Sequence, residues 1–140
     1  MEAESNLGGL LGKSSRLMSN KLNKELTKYQ LTTEQWSLLA LLWSKNDRTQ
    51  KSLQNELLKN KSTINSLVNY LIKNGFITKK QDTKDKRNTI ISLTPLGMEV
   101  QLPTIMSAQS VIMEAIMDIN KDDLEITKKT LLKIIKNLKE

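Results

Sequence analysis

Apolar residues recur at intervals of three and four positions along most of the chain, which is the spacing of amphipathic helices. This pattern predicts six helices separated by short polar turns. They cover about residues 5–29, 31–44, 49–58, 62–74 and 95–119, and the last one begins at residue 120. Pro103 lies inside the fifth helix, where it removes the backbone hydrogen bond to Glu99, so we expect a kink there.

The periodicity changes between the fourth and fifth helices. Residues 76–81 and 88–93 are prone to form strands, and a polar linker over residues 82–87 joins them. Two such runs predict a β-hairpin with a long tip. Thr94 and Pro95 then supply a helix N-cap and a first helical residue. The predicted fold is therefore mainly α with a small β-hairpin.

The chain carries a formal net charge of +7, and the excess is confined to its middle third. Residues 45–90 hold 11 basic and four acidic side chains, whereas the rest of the chain holds equal numbers of each. A basic segment between neutral ones is typical of a protein that binds a polyanion such as nucleic acid. A solvated lysine-rich surface is the alternative interpretation of the same charge.

The composition excludes several kinds of chemistry. The sequence has neither cysteine nor histidine, so it lacks thiol nucleophiles, Cys-ligated zinc and the usual general base. We therefore expect no enzyme activity, no catalytic residue, no metal site and no cofactor. No run approaches the ~18 consecutive apolar residues of a membrane span, and the N-terminus does not resemble a secretory signal. A cytoplasmic location without a membrane partner is expected.

The helices predicted at 49–58 and 62–74, joined by a tight turn and followed by a basic-tipped hairpin, have the element order of a winged helix-turn-helix. The second helix of such a pair lies in the major groove of DNA. Its predicted outer face is polar and free of acids, and it consists of Ser62, Thr63, Asn65, Ser66, Asn69, Tyr70 and Lys73. Because Asn pairs with adenine and Ser or Thr with several bases, this face suits base recognition. A plain surface helix is the alternative.

Five motifs in this region resemble those of the MarR family of bacterial transcription regulators, and they occur in the family's order. They are LTTEQW at 31–36, NKSTI at 60–64, LIKNGFI at 71–77, DTKDKR at 82–87 and LTPLG at 93–97. The resemblance implies a winged helix-turn-helix domain flanked by N- and C-terminal dimerisation helices. It also implies a homodimer that binds double-stranded DNA.

The resemblance further implies which side chains meet DNA. Arg87 corresponds to a wing-tip arginine that enters the minor groove, and Asp85 would support the wing by bracing that arginine or its neighbour. The predicted DNA-binding residues are Lys61, Ser62, Thr63, Asn65, Ser66, Asn69, Lys84, Lys86 and Arg87. Ser66 stands where the family commonly has an arginine, so guanine contacts from this helix are not expected. Alternatively, Asp85 and Arg87 stabilise the hairpin turn, and the wing lysines are solvated edge-strand charges.

The outer helices have broad apolar faces that the DNA-binding part of the chain is too small to cover. We therefore expect a single domain over residues 1–140, with a DNA-binding lobe at 31–97 and a helical dimerisation region at 5–29 and 95–140. A ligand cavity is an alternative use for four methionines of this region, which are Met98, Met106, Met113 and Met117.

These observations favour a homodimeric, sequence-specific transcriptional regulator that represses a palindromic, A·T-rich operator. A small-molecule effector, whose identity the sequence does not specify, would relax binding by changing the separation of the two lobes. One alternative is a nonspecific or architectural DNA-binding protein with the same lobe and no effector. Another is a role without nucleic acid, either as a winged helix that binds a protein partner or as a small enzyme, for which the sequence offers no nucleophile–base pair and no phosphate-binding glycine loop.

Overall fold

The structure, a computed structural model, describes residues 3–139, so residues 1, 2 and 140 of the predicted domain lie outside the described range. Within that range the helices are α1 (Ala3–Leu26), α2 (Thr33–Ser44), α3 (Gln50–Leu57), α4 (Lys61–Lys73), α5 (Pro95–Glu99), α6 (Gln101–Ala115) and α7 (Lys121–Leu138). The strands are β1 (Arg48–Thr49), β2 (Ile77–Gln81) and β3 (Thr89–Leu93). The prediction of a mainly α fold with a small β-hairpin is confirmed.

The junction between α1 and α2 is fixed by local hydrogen bonds. A single 3₁₀ turn over Thr27–Tyr29 follows α1, and Gln30 then adopts a left-handed φ of 61°. The Thr32 hydroxyl accepts a hydrogen bond from the Gln35 backbone at 3.3 Å, and the Gln35 side chain accepts one from the Thr32 backbone at 2.9 Å. This reciprocal pair satisfies two N–H groups at the helix start and places the beginning of α2 at Thr33.

The sheet contains one strand more than the sequence predicts. Residues 45–48 were expected to form only a polar turn, whereas Arg48–Thr49 pair antiparallel with β3, in the sheet order β1-β3-β2. The Arg48 side chain holds the preceding turn, since its Nε donates to the Leu41 and Lys45 carbonyls at 3.0 Å. A two-residue strand is too short to leave an alternating pattern, which explains why the sequence does not indicate it.

The helix predicted over residues 95–119 is divided into α5 and α6, which meet at Val100. This break agrees with the expected effect of Pro103, which has no N–H to donate to the Glu99 carbonyl. The end of α6 at Ala115 lies four residues before the predicted one. Asp118 adopts a left-handed φ of 62° in the turn that follows, a conformation that aspartate tolerates better than most residues.

The lobe formed by α2, α3, α4 and the sheet surrounds one apolar core. Its fully buried members include Leu38, Leu39, Leu42, Leu53, Ile64, Leu71, Ile77 and Ile91. Trp36 and Trp43 pack against this core rather than around a cavity, and both ring N–H groups are satisfied. Trp36 Nε1 donates to Thr104 Oγ1 at 3.0 Å, and Trp43 Nε1 donates to the Gly97 carbonyl at 2.8 Å. The two rings therefore connect the lobe to α5 and α6.

Candidate nucleic-acid interface

The turn between α3 and α4 sets the direction in which α4 leaves the lobe. Leu58 closes α3 with a left-handed φ of 53°, and Asn60 caps α4 by accepting a hydrogen bond from the Thr63 backbone at 2.8 Å. The cap places the start of α4 at Lys61, one residue before the predicted start. Ile64 and Leu71 are fully buried, and the stripe to which they belong anchors α4 against the core.

The opposite side of α4 faces solvent and carries no acid. Its exposed residues are Lys61, Ser62, Asn65, Ser66, Asn69 and Lys73, and Thr63 is half-buried. Tyr70 departs from the predicted arrangement, because it packs against the core and its hydroxyl donates to the Gln30 carbonyl at 2.5 Å. The polar outer face of α4 therefore lacks Tyr70, which the sequence places there, and begins one residue earlier, at Lys61.

A side-chain hydrogen bond links the two helices of the motif at this face. Gln50, the first residue of α3, donates through Nε2 to Asn65 Oδ1 on α4. Gln50 is half-buried and Asn65 is exposed. Asn65, one of the predicted base contacts, therefore has a side-chain hydrogen-bond partner outside α4.

The wing consists of β2 and β3 with a tip over residues 82–88. At the tip, Arg87 donates to Asp85 through Nε at 3.0 Å and through one terminal nitrogen at 2.9 Å, while the Arg87 backbone donates to the same carboxylate at 3.1 Å. These hydrogen bonds from Arg87 hold the pKa of the Asp85 carboxyl below its ordinary value. The Arg87 side chain is 90% exposed, so it can reach a ligand outside the chain.

A polar cleft of about 440 Å³ separates the wing from the first turns of α3 and α4. Four cationic side chains line it, and they are Lys51, Lys61, Lys79 and Arg87. No acidic residue lines the cleft within the described part of the chain. Asn65 lies in the same cleft, so its amide and the wing arginine share one electropositive surface.

The predicted contact residues divide into those in this cleft and those around it. Lys61, Asn65 and Arg87 are brought together there, whereas the remaining six lie on the outer face of α4 and at the wing tip. The predicted set omits the other seven cleft residues, among them Gln50, Lys51 and Lys79. Lys51 and Lys79 belong to the basic middle third of the sequence, so its charge was the signal that pointed to them. Nothing in the sequence pattern indicates that Gln50 contacts Asn65.

Residues 3–139 contain no cluster of three or more His, Cys, Asp or Glu that could hold a metal ion. None of the helices in that range is both long and apolar enough to cross a bilayer. A helix-turn-helix whose second helix exposes an acid-free face, followed by a basic wing, defines a transcription regulator of the winged helix-turn-helix class.

Comparison with known proteins agrees with this class. The family model described as transcriptional regulator SarA/Rot matches residues 21–101, and the chain belongs to that family. It is also similar to the organic hydroperoxide resistance transcriptional regulator of Bacillus subtilis strain 168, with 33% identity over 97 residues. That match covers 69% of this chain and 66% of the relative. The chain spans 61–66% of the length of the first three curated relatives that it matches.

Solved structures show the same fold. A MarR protein from Peptoclostridium difficile superimposes with a TM-score of 0.91 at 24% identity, covering 99% of this chain and 91% of that one. Reduced AbfR bound to DNA superimposes with a TM-score of 0.81 at 24% identity, covering 97% and 93% of the two chains. The predicted MarR-type winged-helix fold is thus confirmed. The chain is a transcriptional regulator and not an enzyme.

Proposed function

We propose that the protein acts as a homodimer that binds a palindromic, A·T-rich operator and represses transcription from it. The observation that carries this proposal is the continuous electropositive surface formed by the acid-free face of α4 and the wing-tip Arg87. A DNA-bound structure of AbfR shares the fold, which supports DNA as the ligand.

Recognition would combine base contacts from α4 with charge contacts from the wing. Lys61, Ser62, Thr63, Asn65, Ser66 and Asn69 would face the major groove, and Lys84, Lys86 and Arg87 would lie near phosphates or the minor groove. Asn65 and Asn69 carry amides suited to adenine, and the base-facing set lacks an arginine to read guanine. A narrow A-tract minor groove would attract the wing arginine. These preferences together favour an A·T-rich site.

The apolar surface of the outer helices supports a dimer. No described residue of α7 is buried, although the helix carries a long apolar stripe. Leu132 and Leu138 are 66% and 78% exposed, and Met106 on α6 is 61% exposed. Burying one such side chain contributes about 1.5–3 kcal/mol, so a second copy covering this surface is the economical arrangement. Residues 5–29 and 95–140 would then form the dimerisation region around lobes at 31–97.

The four methionines are on the surface of the chain and do not line a cavity within it. Met98, Met106, Met113 and Met117 are 54–67% exposed, which fits contact with a second copy better than an internal ligand pocket. An effector would find more room in a cleft of about 690 Å³ where α1 meets α2. There Asn23 Oδ1 accepts hydrogen bonds from the Thr33 backbone and hydroxyl, both at 2.7 Å. A small molecule that broke these hydrogen bonds would change the orientation of the lobe relative to α1.

Selection of bound duplexes from a random-sequence pool, at a stated salt concentration, tests the proposal. We expect two inverted, A·T-rich half-sites with centres about 10 base pairs, or a multiple, apart. Binding without a recovered consensus would instead indicate a nonspecific architectural protein. An asymmetric or G·C-rich consensus would contradict the assignment of the groove-facing residues. Sedimentation of the free protein should show a dimer at micromolar concentration, and a stable folded monomer would contradict the dimer.

A further inference from the structure

The hydrogen bond between Gln50 and Asn65 has consequences for what Asn65 can recognise. An asparagine amide can turn about its last side-chain torsion, which exchanges its oxygen and its nitrogen. Asn65 Oδ1 accepts from Gln50 Nε2. Turning the Asn65 amide alone would place its N–H groups against those of Gln50, so the bond couples the two amides: with Gln50 Nε2 directed at α4, as it is here, Asn65 keeps Oδ1 on that side.

We propose that Gln50 is a specificity-determining positioning residue, which commits Asn65 to donate a hydrogen bond to a base. The inference rests on the proposed function, in which the outer face of α4 lies in the major groove. With Oδ1 turned towards Gln50, the two hydrogens of Asn65 Nδ2 are the groups left to meet a base edge. Gln50 itself need not touch the base for this effect.

The chemistry of the base edges then gives a specific preference. In the major groove, adenine and guanine present N7 as an acceptor and thymine presents O4, whereas cytosine presents its N4 amino group, a donor. An asparagine that is free to turn can satisfy cytosine through its oxygen. A held Asn65 places donor against donor there, so cytosine is rejected at this position. The preference expected of Asn65 therefore widens from adenine alone to any base with an acceptor.

The position of the amide pair agrees with such a role. Gln50 and Asn65 both line the cationic cleft together with Lys61 and Arg87. These charges would hold phosphates close to the amide pair. Gln54, one turn further along α3, lines the same cleft, and its side chain makes no hydrogen bond within the described residues. Gln54 therefore serves as the amide reference for Gln50 in the free protein, and Asn55, which is exposed on α3 and does not line the cleft, is the control for substitution.

The test uses the full-length protein and a site recovered from a random-sequence duplex pool. The base position read by Asn65 is first identified as the one at which Asn65→Ala changes the selected bases. Affinities are then measured for four duplexes that differ only at that position. We expect the unmodified protein to discriminate against cytosine, and Gln50→Met, which keeps the shape and removes the donor, to reduce that discrimination about tenfold. Asn55→Leu, which removes an amide from α3 outside the cleft, should leave the four-base profile unchanged.

Gln50→Glu gives a second, directional outcome. A carboxylate only accepts, so it draws Asn65 Nδ2 towards itself and turns Oδ1 to the groove. We expect cytosine to become preferred over thymine at the same position. The added negative charge lowers the affinity for all four duplexes alike. The ratio of the cytosine affinity to the thymine affinity is therefore the quantity that reports whether the Asn65 amide has turned. A loss of affinity with an unchanged ratio would overturn the proposal.

Two results separate failure of this inference from failure of the proposed function. If Gln50→Met keeps the original base profile while Asn65→Ala changes it, Gln50 has no positioning role, and the assignment of α4 as the helix that contacts bases is retained. If Asn65→Ala changes no position, both assignments are wrong. In the free protein, NMR should show the Gln50 side-chain amide protons exchanging with water more slowly than those of Gln54. Equal exchange rates would overturn the proposal without any DNA experiment.

Discussion

Replacing Arg87 with alanine removes a highly exposed cation of the wing without disturbing the fold. The side chain is 90% exposed, and its polar contacts are with Asp85 in the same tip. No core packing is therefore lost, and we expect Arg87→Ala to keep its circular dichroism spectrum and its thermal midpoint. Any effect on DNA binding can then be assigned to the missing charge.

The size of that effect follows from the release of counterions. Each phosphate neutralised on duplex DNA adds about 0.9 to the steepness with which log affinity falls against log salt. If each half-site loses one such contact, the slope becomes shallower by about 1.8 for the dimer. Between 1 M and 0.1 M salt, a slope of 0.9 raises the affinity about eightfold for each contact. Loss of the contact from both copies should therefore lower the affinity at 0.1 M salt about 60-fold. The loss should appear on the operator and on unrelated DNA, because phosphates carry no sequence information, with only a small excess on the operator from its narrow A·T-rich minor groove.

Fluorescence anisotropy titrations at several salt concentrations measure both slopes. Lys24→Ala is the matched control, since Lys24 is an exposed cation near the end of α1, remote in sequence from the wing. It removes the same net charge and should leave the slope unchanged. The reasoning is refuted if Arg87→Ala binds with the original slope, or if it weakens the operator alone and leaves unrelated DNA unaffected. The first result would remove Arg87 from the interface, and the second would make it a base reader.

Three further predictions concern the wing, the fold and the dimer. Because Arg87 lowers the pKa of Asp85, that carboxyl group should titrate below its ordinary value of 3.8. The stabilising pair is then present above pH 3.8 and is lost as the pH falls through the lowered pKa. Carboxyl NMR should show the pKa of Asp85 returning towards 3.8 in Arg87→Ala. A Cβ on Gly97 would lie 2.1 Å from the Phe76 carbonyl oxygen, so Gly97→Ala should lower the free energy of unfolding by about 2 kcal/mol or more in a denaturant titration. Gly8 has open space around it, so Gly8→Ala should not lower the free energy of unfolding. Leu131 lies on the apolar stripe of α7, and Leu131→Asp should shift the sedimenting species from dimer towards monomer. Thr130 is polar and exposed, so Thr130→Asp should leave the dimer unchanged. An unchanged dimer in Leu131→Asp would place the interface elsewhere.

The parts of the fold that the sequence predicts are those with a strong local signal. The stripe that buries Ile64 and Leu71 repeats over several turns, and the cap at Thr94 and the break before Pro103 follow from the chemistry of single residues. The discrepancies arise where a signal is short or depends on distant residues. Strand β1 has only two residues and forms because β3 lies beside it. Helix α6 ends at Ala115, although the apolar pattern of the sequence continues through the turn that follows.

The same distinction applies to the candidate site. Helical periodicity predicts most of the α4 residues that face outwards, because the buried stripe fixes the opposite face. It does not predict that Tyr70 turns inwards, since that depends on the Gln30 carbonyl 40 positions away. The contact of Gln50 with Asn65 is likewise set by the angle between two helices, and no local pattern encodes that angle. Side chains that act in pairs across elements are therefore the ones that a single sequence leaves undetermined.

The lobe and the outer helices are joined in a way that bears on regulation. Trp36 bonds to Thr104 on α6, Trp43 bonds to the Gly97 carbonyl on α5, and Asn23 on α1 bonds to Thr33 at the start of α2. These contacts, which lie at different places around the lobe, resist bending of the lobe against its own outer helices. If two copies associate through those helices, the spacing of their two α4 helices depends on how the outer helices of the pair are arranged. An effector that loosens one of these contacts would change that spacing by moving the lobe as a unit, and the half-sites of a palindrome would then no longer match both lobes at once.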